Sequence, residues 1–199
     1  MKTERIKTWE LALLLALNIT LCTGLWAQRT QRELSDGLVR LHVIADGDEA
    51  AQQEMKLRVR DRVLEILTPR LEEAEDAQLA AEIITDSLPE LETAASELTG
   101  GLPVRVTLGT ESYPTREYDT FSLPAGHYTS LRVEIGSARG QNWWCVVFPP
   151  LCMDSALTEA VRTGALTDSE IALITGESEG YAVRFRLLEL WGELMEKLR

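Results

Sequence analysis

The chain has 199 residues, 45% apolar and 26% charged, which excludes wholesale disorder and suits one domain with a real core plus an extra segment. Its formal net charge is −12, from 20 Lys+Arg against 32 Asp+Glu. No Lys/Arg cluster offers the basic face of a DNA or RNA binder, and an anionic membrane surface would repel most of the chain.

Lys2, Arg5 and Lys7 make a positive start. The run "LALLLALNITLCTGLWA" (Leu11–Ala27) is then apolar, and polar "QRTQRELSDG" follows at once. This pattern predicts a secretory signal peptide cleaved after Ala27, with an uncleaved N-terminal membrane anchor as the alternative. Residues 28–36 read as a linker and 37–199 as a single domain. Removing residues 1–27 takes away three cations and two acids, leaving 17 Lys+Arg against 30 Asp+Glu and a net charge of −13. The exported body is strongly acidic.

In the body, "GLVRLHVIADGD" alternates: Val39, Leu41, Val43 and Ala45 point one way, Arg40, His42 and Ile44 the other. That predicts a half-buried strand ended by a glycine-containing turn. Met55, Val59, Val63 and Ile66 or Leu67 then fall at helical spacing, with Pro69 as the stop. From Glu73 to Leu98, Ala77, Ala81, Ile84, Leu88, Leu91, Ala95 and Leu98 form one helical stripe. Pro89 is expected to break or kink it, and Gly100-Gly101 to end it.

The period then changes. "PVRVTLG" sets Val104, Val106 and Leu108 opposite Arg105 and Thr107, and "YTSLRVEIG" sets Leu131, Val133 and Ile135 opposite Arg132 and Glu134. The intervening "ESYPTREYDTFSLPAGH" reads as a long connection. After "NWWCVVF" the pattern is helical, over about 155–162, 168–174 and 183–198. The predicted fold is a two-layer α+β domain, with about four mostly antiparallel strands packed against several helices. The helices should cover Val39, Leu41, Val43, Val104, Val106, Leu131 and Val133, leaving Arg40, His42, Arg105, Arg132 and Glu134 on the other face. "NWWCVVF" breaks the alternation, since Trp143, Cys145 and Val147 are apolar on one side and Trp144, Val146 and Phe148 on the other. A central strand covered on both sides explains this without function; a partner surface also explains it.

The body holds two cysteines, Cys145 and Cys152, in the exported context. Their spacing is not that of a redox-active Cys-x-x-Cys pair, and two cysteines with two distant histidines do not fill a structural zinc site. No metal and no cofactor is expected. A disulfide closing a loop of eight residues is the favoured reading and would contribute about 2–3 kcal/mol through chain entropy; a buried strand thiol and an unpaired loop thiol are the alternative. His42, near Asp46 and Asp48, is a candidate base, and Ser112, Ser122 or Ser130 candidate nucleophiles. No nucleophile elbow or His-Glu-x-x-His helix supports them, so no catalytic residue is assigned.

Three stretches together resemble a known family: "LVRLHVIADGDEAAQQEMKLRVRDRVLE", "YPTREYDTFSLPAGHYTSLRVEIGSARGQNWWCVVFPPLC" and the aromatic C-terminal helix. They look like stage II sporulation protein R of endospore-forming Firmicutes. Two departures stand out: Asp46-Gly47-Asp48 replaces a run usually richer in Asn and Ser, and Leu123 replaces the usual phenylalanine before "PAG". The resemblance implies a signalling protein and not an enzyme. Such a protein is made in the forespore, exported into the space between forespore and mother cell, and triggers a membrane-embedded aspartic protease that processes the mother-cell pro-sigma factor. The motif positions carried over are His42, Gln141, Asn142, Trp143, Trp144, Cys145 and Cys152, the first five as candidate partner contacts. The competing classes are an exported hydrolase using His42 and a peptidoglycan-binding module using Trp143 or Trp144.

Overall fold

The computed structural model describes residues 7–118 and 121–151. The C-terminal helical pieces and Cys152 lie outside the described residues. Helix α1 (Thr8–Asp36) leads into strand β1 (Val39–Ile44), followed by helices α2 (Ala50–Leu71) and α3 (Ala77–Ser96). Strands β2 (Val104–Tyr113), β3 (Arg116–Glu117), β4 (Ser122–Leu123), β5 (Gly126–Ile135) and β6 (Asn142–Phe148) complete the α+β arrangement.

Four strands form a mixed sheet in the order β2-β5-β1-β6. The β2–β5 and β1–β6 pairs are antiparallel, while β1 and β5 run parallel, with His42 opposite Arg132. The region between β2 and β5 is not one long connection. Both strands extend into it, to Tyr113 opposite Gly126, and β3 and β4 form a small two-stranded sheet at the tip.

Helices α2 and α3 cover one face as the alternation dictates. Val39, Leu41, Val43, Val106, Leu131 and Val133 are buried there with Val59, Val63, Leu67, Ile84 and Leu91. Glu49 and Gln52 form a reciprocal capping box at the start of α2, and the Asp76 carboxylate accepts the Leu79 N–H (2.8 Å) at the start of α3. Pro69 lies inside the last turn of α2, and α3 continues through Pro89 without ending. Of the expected break or kink at Pro89, the break is absent, and apolar residues on both sides of it pack on the same sheet. Gly100 and Gly101, both at positive φ, then turn the chain into β2.

The opposite face is only in part the polar face that alternation predicts: Arg105 is exposed and Arg132 and Glu134 are partly so, but Arg40 and His42 are not. Arg40 is 0% exposed and His42 8%. A second apolar cluster of Leu34, Leu38, Tyr113, Phe121, Leu123, Tyr128, Val146 and Leu151 covers that face, with Trp144 packed against it. Residues 28–36 contribute to this cover, so the expected linker is instead the end of α1. Leu34 is buried, and the Gln31 side-chain amide donates to the Ala125 carbonyl. Further back, Leu11, Leu14, Leu17, Leu21 and Leu25 are exposed, and α1 is long and apolar enough to cross a membrane.

Strand β6 sits at the sheet edge and not at its centre, yet both its sides are covered. A register shift between Val39 and Arg40 places Val39 opposite Phe148 and Arg40 opposite Val146. The extra residue is Val147, and both Val147 and Phe148 join the helix-side core. Phe148 thus changes side relative to simple alternation, and the apolar excess of β6 is divided between two cores.

Candidate functional site

Six of the seven candidate positions lie within the described residues, and the sheet separates them. His42, Asn142 and Trp144 come together on the face covered by the end of α1. The His42 Nε2 lies 3.0 Å from the Asn142 Oδ1, and the His42 and Trp144 rings are tilted at 49° with centroids 5.4 Å apart. Antiparallel pairing makes this contact, since His42 stands opposite Trp144 and Ile44 opposite Asn142.

Trp143 points the other way. It packs against the helix-side core, and the Arg60 guanidinium of α2 lies 4.7 Å from its ring centroid. Gln141 acts through its backbone: its N–H donates to the Asp48 carboxylate (2.7 Å) and its carbonyl accepts from the Lys56 Nζ (3.1 Å). Burial pushes the Lys56 amine below its ordinary range. Cys145 is buried opposite Leu41.

Asp46 and Asp48, near His42 in sequence, do not serve it. Asp46 accepts the Ser137 N–H (2.6 Å) and the Gln52 amide (3.1 Å) and ties the β1–α2 turn to the β5–β6 turn. The carboxylate that meets His42 is Glu111 of β2, with both oxygens 3.3 Å from Nδ1. Glu111 also accepts from Ser130 Oγ (2.6 Å) and Arg132 Nη1 (2.8 Å). Burial alone would raise its pKa, but the Ser130 hydrogen bond, His42 and Arg132 more than offset this, and the carboxyl is held below its usual range.

Around this centre lies an aromatic and cationic layer. Tyr113 shares a hydrogen bond with Ser130 (2.6 Å), and its ring meets those of His42, Tyr128 and Trp144 edge-on. Burial raises the Tyr113 phenol above its ordinary range and keeps it neutral. The Arg40 guanidinium lies 3.8 Å from the Tyr113 ring centroid and 4.9 Å from that of Tyr128, and its Nη2 donates to the Tyr118 hydroxyl (2.7 Å). Arg116 of β3 lies 3.5 Å over the Trp144 ring.

Glu111, Tyr113, Arg116, Tyr118 and Tyr128 were not legible as site residues. Their strands alternate correctly, but nothing local says which distant strand they meet. Chemically, the arrangement orients an imidazole: a carboxylate fixes Nδ1 while Nε2 faces the side chain of the exposed Asn142. Ser130, the buried one of the serines considered as nucleophiles that touches this centre, donates its hydroxyl to Glu111. Among the described residues no group of three or more His, Cys, Asp or Glu is placed to hold a metal ion.

Residues 35–158 match the family of stage II sporulation protein R, which is more than half of the chain and includes β1 to β6. The chain belongs to the stage II sporulation protein R family. The stage II sporulation protein R of Bacillus subtilis (strain 168) is 31% identical over 144 residues, covering 68% of this chain. The aligned stretch spans 64% of that relative's length. No solved structure matches the chain. The match of the stage II sporulation protein R family runs from the last two residues of α1 past β6, so it contains His42, Glu111, Asn142 and Trp144 but not Leu34 or Gln31 of the covering helix.

Proposed function

We propose that the chain is an exported sporulation signal that activates a membrane-embedded aspartic protease of the mother cell, leading to processing of the mother-cell pro-sigma factor. Membership of the stage II sporulation protein R family carries this reading. An N-terminal helix able to serve as signal or anchor supports export across the forespore membrane into the intermembrane space, with or without a remaining tether. A disulfide between Cys145 and Cys152 would close the chain just past β6 back onto that strand. Trp144 and Asn142 then present the edge of the His42 layer to the extracytoplasmic part of the protease. Docking there activates the protease only if the contact favours its active state over its resting state.

The test is Trp144→Ala and Cys152→Ser in the exported protein, with pro-sigma processing followed by immunoblot. Loss of processing with normal folding and export is expected. Normal processing by both variants would end the docking reading.

A second reading, an exported hydrolase acting at the cell wall, draws on the His42–Glu111 pair, whose geometry is that of an oriented base. His42→Ala separates the two. Loss of signalling with protease binding intact favours the enzyme, whereas loss of protease binding favours the signal. A peptidoglycan-binding module would instead be retained on purified cell wall.

A further inference from the structure

Arg40 and Arg116 are the cations of the His42–Trp144 layer for which no ion pair is found among the described residues. Arg132, their neighbour in the layer, is neutralised by Glu111 and Glu134, each 2.8 Å away. Neither Arg40 nor Arg116 has an ion pair among the described residues, in a chain with an excess of 12 acids. Both guanidiniums lie instead on ring faces, Arg40 on Tyr113 and Tyr128, and Arg116 on Trp144.

Their hydrogen bonding is incomplete. Among the described residues, Arg40 Nε and Nη1 and Arg116 Nε are buried without an acceptor, as is the Nε of Arg132, whose other two nitrogens are ion-paired, while Arg40 Nη2 donates to Tyr118. Buried donors are nearly always satisfied, and a buried cation without an anion is costly. Burial pulls the Arg116 pKa down and the nearby Arg40 adds to this, so the two cations are close enough to repel each other. An anion placed between them would relieve both effects.

We infer that Arg40 and Arg116, with Trp144 as their ledge, form a seat for the carboxylate of an acidic side chain on the protein partner. A guanidinium fork matches a planar carboxylate, and charge-assisted bonds are the strong ones. The depth of the donors selects the ligand. Arg40 is fully buried among Tyr113, Tyr128 and Tyr118, so a narrow carboxylate on a protruding side chain is the anion suited to reach it, whereas a lipid phosphate held in the plane of a bilayer is not. The Tyr118 hydroxyl holds the place of the anion, and Arg40 Nη2 exchanges it for the carboxylate. The identity of the partner rests on the proposed function; the seat does not.

The first experiment uses the full chain in zwitterionic micelles and follows the Arg40 and Arg116 Nε–H resonances, assigned through Arg→Lys variants. The probes are the peptide acetyl-Gly-Glu-Gly-amide, its Gln counterpart, and phosphatidylglycerol added to the micelles. Shifts of both resonances with the Glu peptide alone are expected. No shift, an equal shift with the Gln peptide, or a shift with phosphatidylglycerol alone overturns the proposal. The second experiment measures binding of the same chain to the solubilised aspartic protease. Arg116→Gln should weaken binding about tenfold or more with unchanged circular dichroism, and Arg116→Lys by less. Wild-type affinity in Arg116→Gln overturns the seat and leaves the proposed function standing. Failure of the wild type to bind the protease, with the peptide shifts present, removes the proposed partner and leaves the seat. Arg40→Gln is not used alone, because its full burial makes unfolding a trivial explanation.

Discussion

Glu111 and His42 are 69 positions apart in the chain, yet both Glu111 carboxylate oxygens lie 3.3 Å from the His42 Nδ1. The two residues are not on neighbouring strands. Strand β5 lies between β1 and β2, with Arg132 opposite His42 and Ser130 opposite Gly109. Glu111 reaches across β5 and gathers Ser130, Arg132 and His42 at once. One carboxylate thereby ties three strands together.

Replacing that carboxylate should therefore cost more than a surface ion pair. Glu111→Gln leaves Arg132 and His42 facing a neutral amide and is expected to destabilise the domain by about 2–3 kcal/mol. Urea unfolding gives the difference directly. A change below about 0.5 kcal/mol would mean that the three-strand tie is only a surface contact.

The same group sets an acid limb. The Glu111 carboxyl is held below its unfolded value of 4.5. Its contribution is complete above that value and is lost as pH falls through the lower folded value. Wild type and Glu111→Gln should thus differ most in urea midpoint at neutral pH and converge as pH falls through the lowered folded value. A gap that stays constant throughout the acid titration would contradict this assignment.

The end of α1 should behave as core and its beginning should not. Leu34→Ala removes a buried side chain from the cluster over Tyr113 and Tyr128 and should cost about 2–4 kcal/mol. Leu14, exposed on the apolar part of α1, should tolerate alanine without loss of body stability. Paired thermal melts of the two variants check this.

The adjacent tryptophans should have separable effects. Trp143→Leu loses the Arg60 contact and helix-side packing, so a stability loss of about 1–2 kcal/mol with pro-sigma processing retained is expected. Trp144→Leu removes the ledge under Arg116, and processing should fail in a folded protein. Equal effects of the two variants on processing would remove Trp144 as the contact.

Gly140 should resist substitution. A Cβ there would collide with the Gly47 backbone carbonyl, where the Gly140 N–H donates to the Ala45 carbonyl (2.9 Å). Gly140→Ala is expected to destabilise by about 1–3 kcal/mol, read from the urea midpoint.

The helix-side core was legible because alternation in strands and the 3.6-residue stripe in helices are local properties of the chain. Val39, Leu41, Val43, Val106, Leu131 and Val133 lie where that pattern places them. Pro89 does not end α3: its local penalty is real, but the packing of α3 on the sheet outweighs it. The site was half legible. His42, Asn142 and Trp144 could be named from their motif, yet the carboxylate beside His42 was sought at Asp46 and Asp48, and those acids brace turns instead.

The sequence by itself determined the acidic body, the apolar N-terminal helix, the strands with their inward faces, and the apolar excess of "NWWCVVF". Only the tertiary structure decided that β1 and β5 run parallel, that β6 is an edge strand with a bulge, and that Arg40 is buried among tyrosines. Side-chain periodicity records which way a residue points relative to its own element. It carries no information about which strand lies alongside, in which direction, or what covers the far face. Those are set by burial summed over the whole chain, and they place Glu111 beside His42 and leave Arg40 and Arg116 without an anion among the described residues.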